Sequence, residues 1–261
     1  MHAFLLAMGS LWKREIVRFL RQRNRVIGAL GTPLVFWLVI GSGIGTSFRP
    51  GSLPEQMHYL EYFYPGTILL VVLFTAIFST ISIIEDRREG FLQGVLVSPA
   101  SSLAIVLGKV LGGATLAVGQ GLLLYALAPL LGLHVSLQQF FELAGVLIVV
   151  SMALTALGYV MAWPMSSTHG YHAMMNLFLM PMWIVSGALF TPESASGWMR
   201  LLMKINPLSY GLAAMRHAIY KGDAVWIHQL PSAFFSNIVM IVFTLFLLFF
   251  AARLTQKTCR T

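Results

Sequence analysis

Few residues in this chain have the type and spacing to do chemistry, and most of them lack a partner. His169 and His172, three apart in "HGYH", could serve as two metal ligands, but no acidic residue or cysteine stands near them. The plainer reading is a pair of interfacial histidines at a helix start. Ser79, Ser151 and Ser186 fall within apolar stretches, where a nucleophile needs an activating partner across the bundle. None sits in a glycine-framed elbow. Lys109 follows Gly108, yet Leu103 stands where a phosphate loop needs glycine and Val110 where it needs Ser or Thr. Glu142 is the only carboxylate close to the interior of an apolar stretch, and it lies near the start. The expectation is therefore no catalytic residue, no metal and no ATP site in this chain.

A different chemistry is concentrated at Glu85, Asp86, Arg87, Arg88 and Glu89, a charged run flanked on both sides by uncharged apolar sequence. Gly90 follows. Phe91, Leu92, Val95 and Leu96 then fall on one helical stripe. Pro99 should end that helix, because the residue before proline avoids helical geometry. Ser101 or Ser102 can cap the next one. Acidic residues contribute little to membrane topology, so Glu85, Asp86 and Glu89 are left unexplained by a purely orienting loop. A short charged-then-amphipathic helix over about 86–98 suits docking into a groove on a soluble partner. Glu85, Arg88 and Glu89 would pair with that partner and set orientation, and the apolar stripe would supply the binding energy. A plain cytoplasmic loop is the alternative.

The elements that hold this segment follow from composition. The chain has 261 residues, of which 10% are charged, where a soluble domain carries roughly 25%. Mean hydropathy is +0.79. So little charge cannot cover a soluble fold, and the class is an all-α integral membrane protein. The net charge of +8 is distributed beside apolar spans, as expected for anchored membrane ends and not for nucleic-acid binding. A single cysteine, Cys259, excludes an intrachain disulfide. The opening "AFLLAMGSLW" has no basic residue close before it and no cleavage site after it, so the first span is expected to act as an uncleaved anchor.

A span needs about 20 mostly apolar residues. Six stretches qualify: Val26–Phe48, Phe63–Ile84, Leu103–Leu131, Phe141–Trp163, Tyr171–Phe190 and Phe234–Ala252. The third is long enough to include extramembrane helix. Pro33 and Pro181 should kink the first and fifth. With the N-terminus inside, Lys and Arg number twelve inside and five outside, which puts both termini and the charged run in the cytoplasm. Residues 1–25 read as a cytoplasmic amphipathic helix, with Met8, Leu11, Trp12, Ile16, Phe19 and Leu20 on one face and Arg14, Arg18, Arg21 and Arg25 on another. The fifth connection, about 191–231, reads as two short helices around "INPLSYG": Trp198, Leu201, Leu202 and Ile205 line one, Leu212, Met215 and Ile219 the other. Neither can span, so an interfacial or re-entrant hairpin is expected on the extracytoplasmic side. A surface loop with helical turns is the alternative. Residues 26–252 form the six-span domain and 253–261 a cytoplasmic tail. Gly28 and Gly31, Gly41 and Gly45, and Gly108 and Gly112 are spaced for close helix packing.

At this point the chain resembles the membrane subunit of an ABC-2 type ATP-binding-cassette exporter, the class of bacterial drug, polysaccharide and Nod-factor export permeases. "LWKREIVRFLRQRNR" is similar to that family's basic interface helix, and "TPLVFWLVIGSGIG" to its proline-bearing first span. "EDRREGFLQGVLVSPASSLAIVLGK" resembles its E-x-G-[TF]-L-x-x-L-x-V-[ST]-P segment ending in L-G-K, with Gln93 and Gly94 in place of an acidic and bulky pair. "PMWIVSGALFTPES" and "INPLSYGLAAMRHAIYKG" resemble the fifth span and the N-P-x-x-Y hairpin.

The resemblance implies a permease without its own ATPase site. Two six-span subunits would pair, as a homodimer or, alternatively, with a sister permease, each docked on a separate cytoplasmic ABC ATPase that carries ATP and Mg²⁺. The helix around Glu89–Val97 would be the coupling helix, with Arg14, Arg18 and Arg21 of the interface helix flanking it. Spans two and five would line the substrate path, which puts Phe74, Phe78, Met174, Phe178 and Met182 along it. These are large and apolar, and suit a hydrophobic or amphiphilic drug or lipid moved out of the cytoplasm or inner leaflet; packing or lipid contact is the alternative for each. The location would be the inner membrane. A polysaccharide or glycolipid exporter is the alternative substrate class, and a membrane scaffold or intramembrane enzyme the alternative outside transport.

Overall fold

The computed structural model describes residues 2–44, 59–98, 100–133, 135–220 and 225–260. Among them the chain is helical, with no strand. In order these are α1 (His2–Arg21), α2 (Arg23–Ile44), α3 (Tyr59–Arg88), α4 (Phe91–Val97), α5 (Ser102–Tyr125), α6 (Leu137–Ala162), α7 (Thr168–Trp183), α8 (Gly197–Ile205), α9 (Pro207–Ile219) and α10 (Ala233–Arg260). Short irregular helical turns follow α5, α7 and α9.

α3 is the axis of the bundle. It is apolar on every side, and 89% of its most hydrophobic stretch is buried against α2, α5, α6, α7 and α9. A helix that is hydrophobic all round belongs in such a position. α10 is equally apolar, yet only 22% of its most hydrophobic stretch is covered. Phe234, Phe235, Val242, Leu245, Phe246 and Phe249 point away from the protein. A continuous apolar face of that size is the kind that lipid or another protein covers. Among the described residues, four helices are long and apolar enough to cross a membrane: α3, α5 continued to Leu131, α6 and α10. The first and fifth expected spans correspond to α2 and α7, and the last residues of the first, 45–48, lie outside the described residues.

The expected fifth span does not run straight. α7 carries Pro181 and gives way at Ile184–Ala188 to a wide helical turn in which Gly187 has φ 88°. Proline removes a donor and opens the helix behind it. Carbonyls at the wide turn find partners on other elements: Asn206 Nδ2 donates to Met182 O at 2.6 Å, and Tyr62 Oη to Gly187 O at 2.9 Å.

The N-P-x-x-Y segment is explained by the same local physics. The Asn206 side chain accepts from Leu208 N at 3.0 Å and caps α9. Pro207 occupies the first helical position, where its missing N–H is harmless. Tyr210 Oη donates to Lys204 O at 2.7 Å, closing the end of α8. α9 buries Leu212, Met215 and Ile219, the face expected from their spacing. α8 turns Trp198, Leu201, Leu202 and Ile205 outward and buries Met203.

Candidate functional site

The charged run lies at one end of the bundle, where α3 stops and α5 begins. Asp86 is fully buried. Its carboxylate accepts from Arg14 Nη2 at 2.6 Å and Nη1 at 2.9 Å, from Arg18 Nη1, and from Lys109 Nζ at 2.6 Å. Lys109, itself buried on α5, also donates to the buried Glu15 at 2.7 Å. Arg18 Nη2 reaches Glu85 at 2.9 Å and Glu89 at 3.1 Å, and Arg25 closes the network on Glu85. Each buried charge thus has an opposite charge in hydrogen-bond contact, which is the condition for tolerating it away from water. Burial opposes the charge of the Arg14 guanidinium, but the hydrogen bond and field of Asp86 outweigh this and raise its pKa above the ordinary value.

The network works because α1 lies directly on α5. Gly108 and Gly112 form the seat: a Cβ at Gly108 would stand 2.7 Å from Leu11 Cβ and 2.9 Å from Met8 O, and one at Gly112 would stand 2.6 Å from Glu15 Cβ. Small residues permit such backbone approach. Leu11 and Phe19 fill the contact, with Phe19 packed on Ala29 and Leu116. Trp12 and Leu20 of the expected apolar stripe remain exposed at the outer side.

α4 is attached to this network. Gly90, at φ 79°, makes the turn out of α3 in a left-handed conformation that glycine takes without strain. Phe91 then lies beneath Arg14, whose guanidinium carbon is 3.6 Å from the ring centroid. Leu92 is buried in the main core, and Leu96 packs against that core. The stripe of Phe91, Leu92, Val95 and Leu96 therefore turns mainly toward its own chain. The outward face is Gln93, Gly94, Val97 and Ser98, with Val97 87% exposed.

The charged residues expected to meet a partner fall into two groups. Glu85 is engaged within the chain by Arg18 and Arg25, and Arg88 donates to Ser166 O at 2.9 Å. Arg87 donates to the carbonyls of Met165 and Trp163 at the end of α6. Glu89 keeps 59% of its side chain exposed while touching Arg18. Arg21 is exposed. Pro99 lies outside the described residues. Spacing alone missed Asp86 as the centre, and Glu15 and Lys109 as members. The signal was present: Lys109 is a lone cation in an otherwise uncharged helix, and such a residue needs a partner.

The expected path residues separate. Phe74 and Phe78 are in ring contact and line a crevice of about 20 Å³ with Met175, Asn176 and Leu179 of α7. Phe178 points outward, 57% exposed. Met174 and Met182 are half-buried and do not line the crevice. His172 packs its ring 5.8 Å from Phe78.

The ABC-2 type transporter family profile matches residues 7–220, from α1 through α9. The chain belongs to the ABC-2 type transporter family. Among relatives of this ABC-2 permease is ycf38 of Cyanophora paradoxa, whose name describes it as a transport permease; it is 24% identical, over 94% of this chain and 88% of its own length. The daunorubicin resistance ABC transporter permease protein DrrB1 of Streptomyces coeruleorubidus is 25% identical over 83% of this chain and 75% of its own. The inner membrane transport permease YadH of Escherichia coli K12 is 22% identical over 83% and 84%. The chain is thus a multi-pass membrane permease subunit, and the matched region contains both the ionic network and the α8–α9 hairpin.

Proposed function

We propose that this permease is the membrane-spanning half of an ATP-driven exporter, powered by a separate cytoplasmic ABC ATPase that docks on α4. The observation that carries the reading is the attachment of α4. Through Arg14, Asp86 and Lys109 it is tied to α1, α3 and α5 at once. A force applied to the exposed face at Gln93 and Val97 would move three helices together instead of bending one loop. Glu89 and Val97 give that face one charge and one apolar anchor, the combination that supplies orientation and binding energy in a groove.

In this reading α2, α3, α5, α6, α7 and α10 are the six spans. Both termini and the network are cytoplasmic, in keeping with the Lys and Arg distribution, and the α8–α9 hairpin lies at the far surface with its apolar residues in the interface. ATP and Mg²⁺ belong to the partner ATPase. The membrane is the cytoplasmic (inner) one. The crevice at Phe74 and Phe78 is far below the roughly 300–1,000 Å³ of a drug-sized site. That supports a pathway between two permease subunits over one within a single subunit. A hydrophobic or amphiphilic cargo fits the uncharged span interiors, and the name of the daunorubicin resistance relative is in line with a drug.

The test is purification from the native membrane in mild detergent. An ATP-hydrolysing subunit should accompany the wild-type chain and be lost from a Gln93→Arg, Val97→Asp variant that unfolds at the same temperature. Wild-type permease that retains its own assembly but carries no ATPase would overturn the reading.

A further inference from the structure

The opposite end of the bundle holds a cation with no such partner among the described residues. Arg216, on α9, is 2% exposed. Its Nη2 donates to Gly187 O at 2.8 Å, and its guanidinium carbon lies 4.3 Å from the Tyr62 ring and 5.6 Å from the Trp226 ring. Its Nε is buried with no hydrogen-bond partner. Among the described residues no carboxylate comes within ion-pair distance of it. Arginine stays protonated at any working pH, and a buried, unpaired charge is costly. The contrast with Asp86, whose charge is balanced on every side, is direct.

Two chambers meet at Arg216. The larger, about 320 Å³, is also lined by Arg200, Lys204, Tyr210 and Gln229. The smaller, about 120 Å³, reaches Tyr62, Trp226 and Glu193; Glu193 is exposed and makes no ion pair with Arg216. Three cations therefore surround the larger space, one buried at its back and two exposed at its rim. Immediately past Lys204, an open apolar groove of about 450 Å³ starts at Ile205 and Pro207 and runs along Val242 and Phe246 of α10. A cationic pocket next to an apolar groove has the shape of an amphiphile.

We propose that the α8–α9 hairpin binds an amphiphile through an anionic headgroup. Phosphate-type oxygens would sit between Arg216, Lys204 and Arg200, and the apolar chain would lie in the α10 groove. Guanidinium is suited to this because it presents several donors in one plane to an oxyanion. Arg216 has donors left for it, since the contact with Gly187 O uses one. The aromatic rings on the other side keep the guanidinium fixed and exclude water, which strengthens the attraction. The site stands independently of the ATPase reading, because it is assayed on the purified chain alone.

The experiment is a titration of the full-length permease in mild detergent, followed by native mass spectrometry. The probes are short-chain phosphatidylglycerol, short-chain phosphatidylcholine and inorganic phosphate. The variants are Arg216→Gln and the rim pair Arg200→Gln, Lys204→Gln; the rim residues are exposed, so the pair keeps the fold testable if the buried change does not. Loss of one charge-assisted contact predicts phosphatidylglycerol binding weaker by about tenfold or more in each folded variant. Phosphatidylcholine, whose choline cation offsets its phosphate, should bind more weakly than phosphatidylglycerol in the wild type and lose less of its affinity in the rim pair. Phosphate alone should bind far more weakly than the lipid. Equal binding of the two lipids, or wild-type affinity for phosphatidylglycerol in the rim pair, would overturn the proposal. Phosphate that binds as tightly as phosphatidylglycerol would overturn the amphiphile and leave a free-oxyanion site.

Discussion

Arg14 binds both carboxylate oxygens of Asp86, at 2.6 and 2.9 Å, while its guanidinium carbon lies 3.6 Å from the centroid of the Phe91 ring. One side chain of the N-terminal helix thus holds the end of α3 and the start of α4 together. Hydrogen bonds and cation–π contact act on the same group, and neither leaves the other room to move.

The first consequence concerns Asp86. Asp86→Asn leaves Lys109, Arg14 and Arg18 facing a neutral group in a buried position, and breaking a buried network in this way costs about 3–5 kcal/mol. Glu89→Gln, at a side chain 59% exposed, should cost less than about 1 kcal/mol. Denaturation midpoints in one detergent compare them. Adding Lys109→Met to Asp86→Asn should not restore stability, because Lys109 still pairs with the buried Glu15, which would then be stranded in turn. Equal midpoints for Asp86→Asn and Glu89→Gln would mean that the network does not hold the fold.

Close contact of α1 with α5 can be tested separately. At Gly112 a valine would push into Glu15, whose Cβ is 2.6 Å from the position a Cβ would take. Overpacking of this kind costs about 1–3 kcal/mol, and α1 should lift from α5. Trypsin would then cut after Arg14 or Arg18 while α3 and α6 stay protected. Gly119→Val, at a position with open space around it, is the control and should leave α1 protected.

Gly90 sets the direction of α4. Gly90→Ala keeps the polarity but places a Cβ at φ 79°, a strain of about 1–2 kcal/mol. The bulk of the bundle should unfold near the wild-type midpoint, while transport falls because Phe91 no longer meets Arg14. A variant that transports at the wild-type rate would show that the orientation of α4 is immaterial.

Asn206 joins the hairpin to the broken end of α7. Asn206→Ala removes the cap of α9 and the 2.6 Å bond to Met182 O. A lost cap costs about 1 kcal/mol, and the freed carbonyl adds to it. Hydrogen exchange should rise first in α8 and α9. Exchange rising uniformly over the bundle would contradict a local role.

Periodicity made the architecture legible. The spacing of Leu212, Met215 and Ile219 identified the buried face of α9, and "INPLSYG" marked the break between it and α8. The charged run between Glu85 and Glu89 pointed to the end of α3 where the network lies. The pairing was not legible, because Arg14 and Asp86 are 72 residues apart and nothing local links them. The stripe from Phe91 to Leu96 was visible as a stripe, but the direction it faces is set by Gly90 and Arg14. Arg216 read as one more basic residue of a connection; only the fold around Gly187 shows it to be buried and short of partners.

The central claim, an ATPase docked on the outer face of α4, is tested most directly by a photoreactive residue at Val97 in intact cells. The control is the same residue at Trp198, which is exposed on α8 in the hairpin. The account predicts an adduct from Val97 to a protein that binds ATP, and none from Trp198. No such adduct from Val97, or the same adduct from both positions, would contradict it.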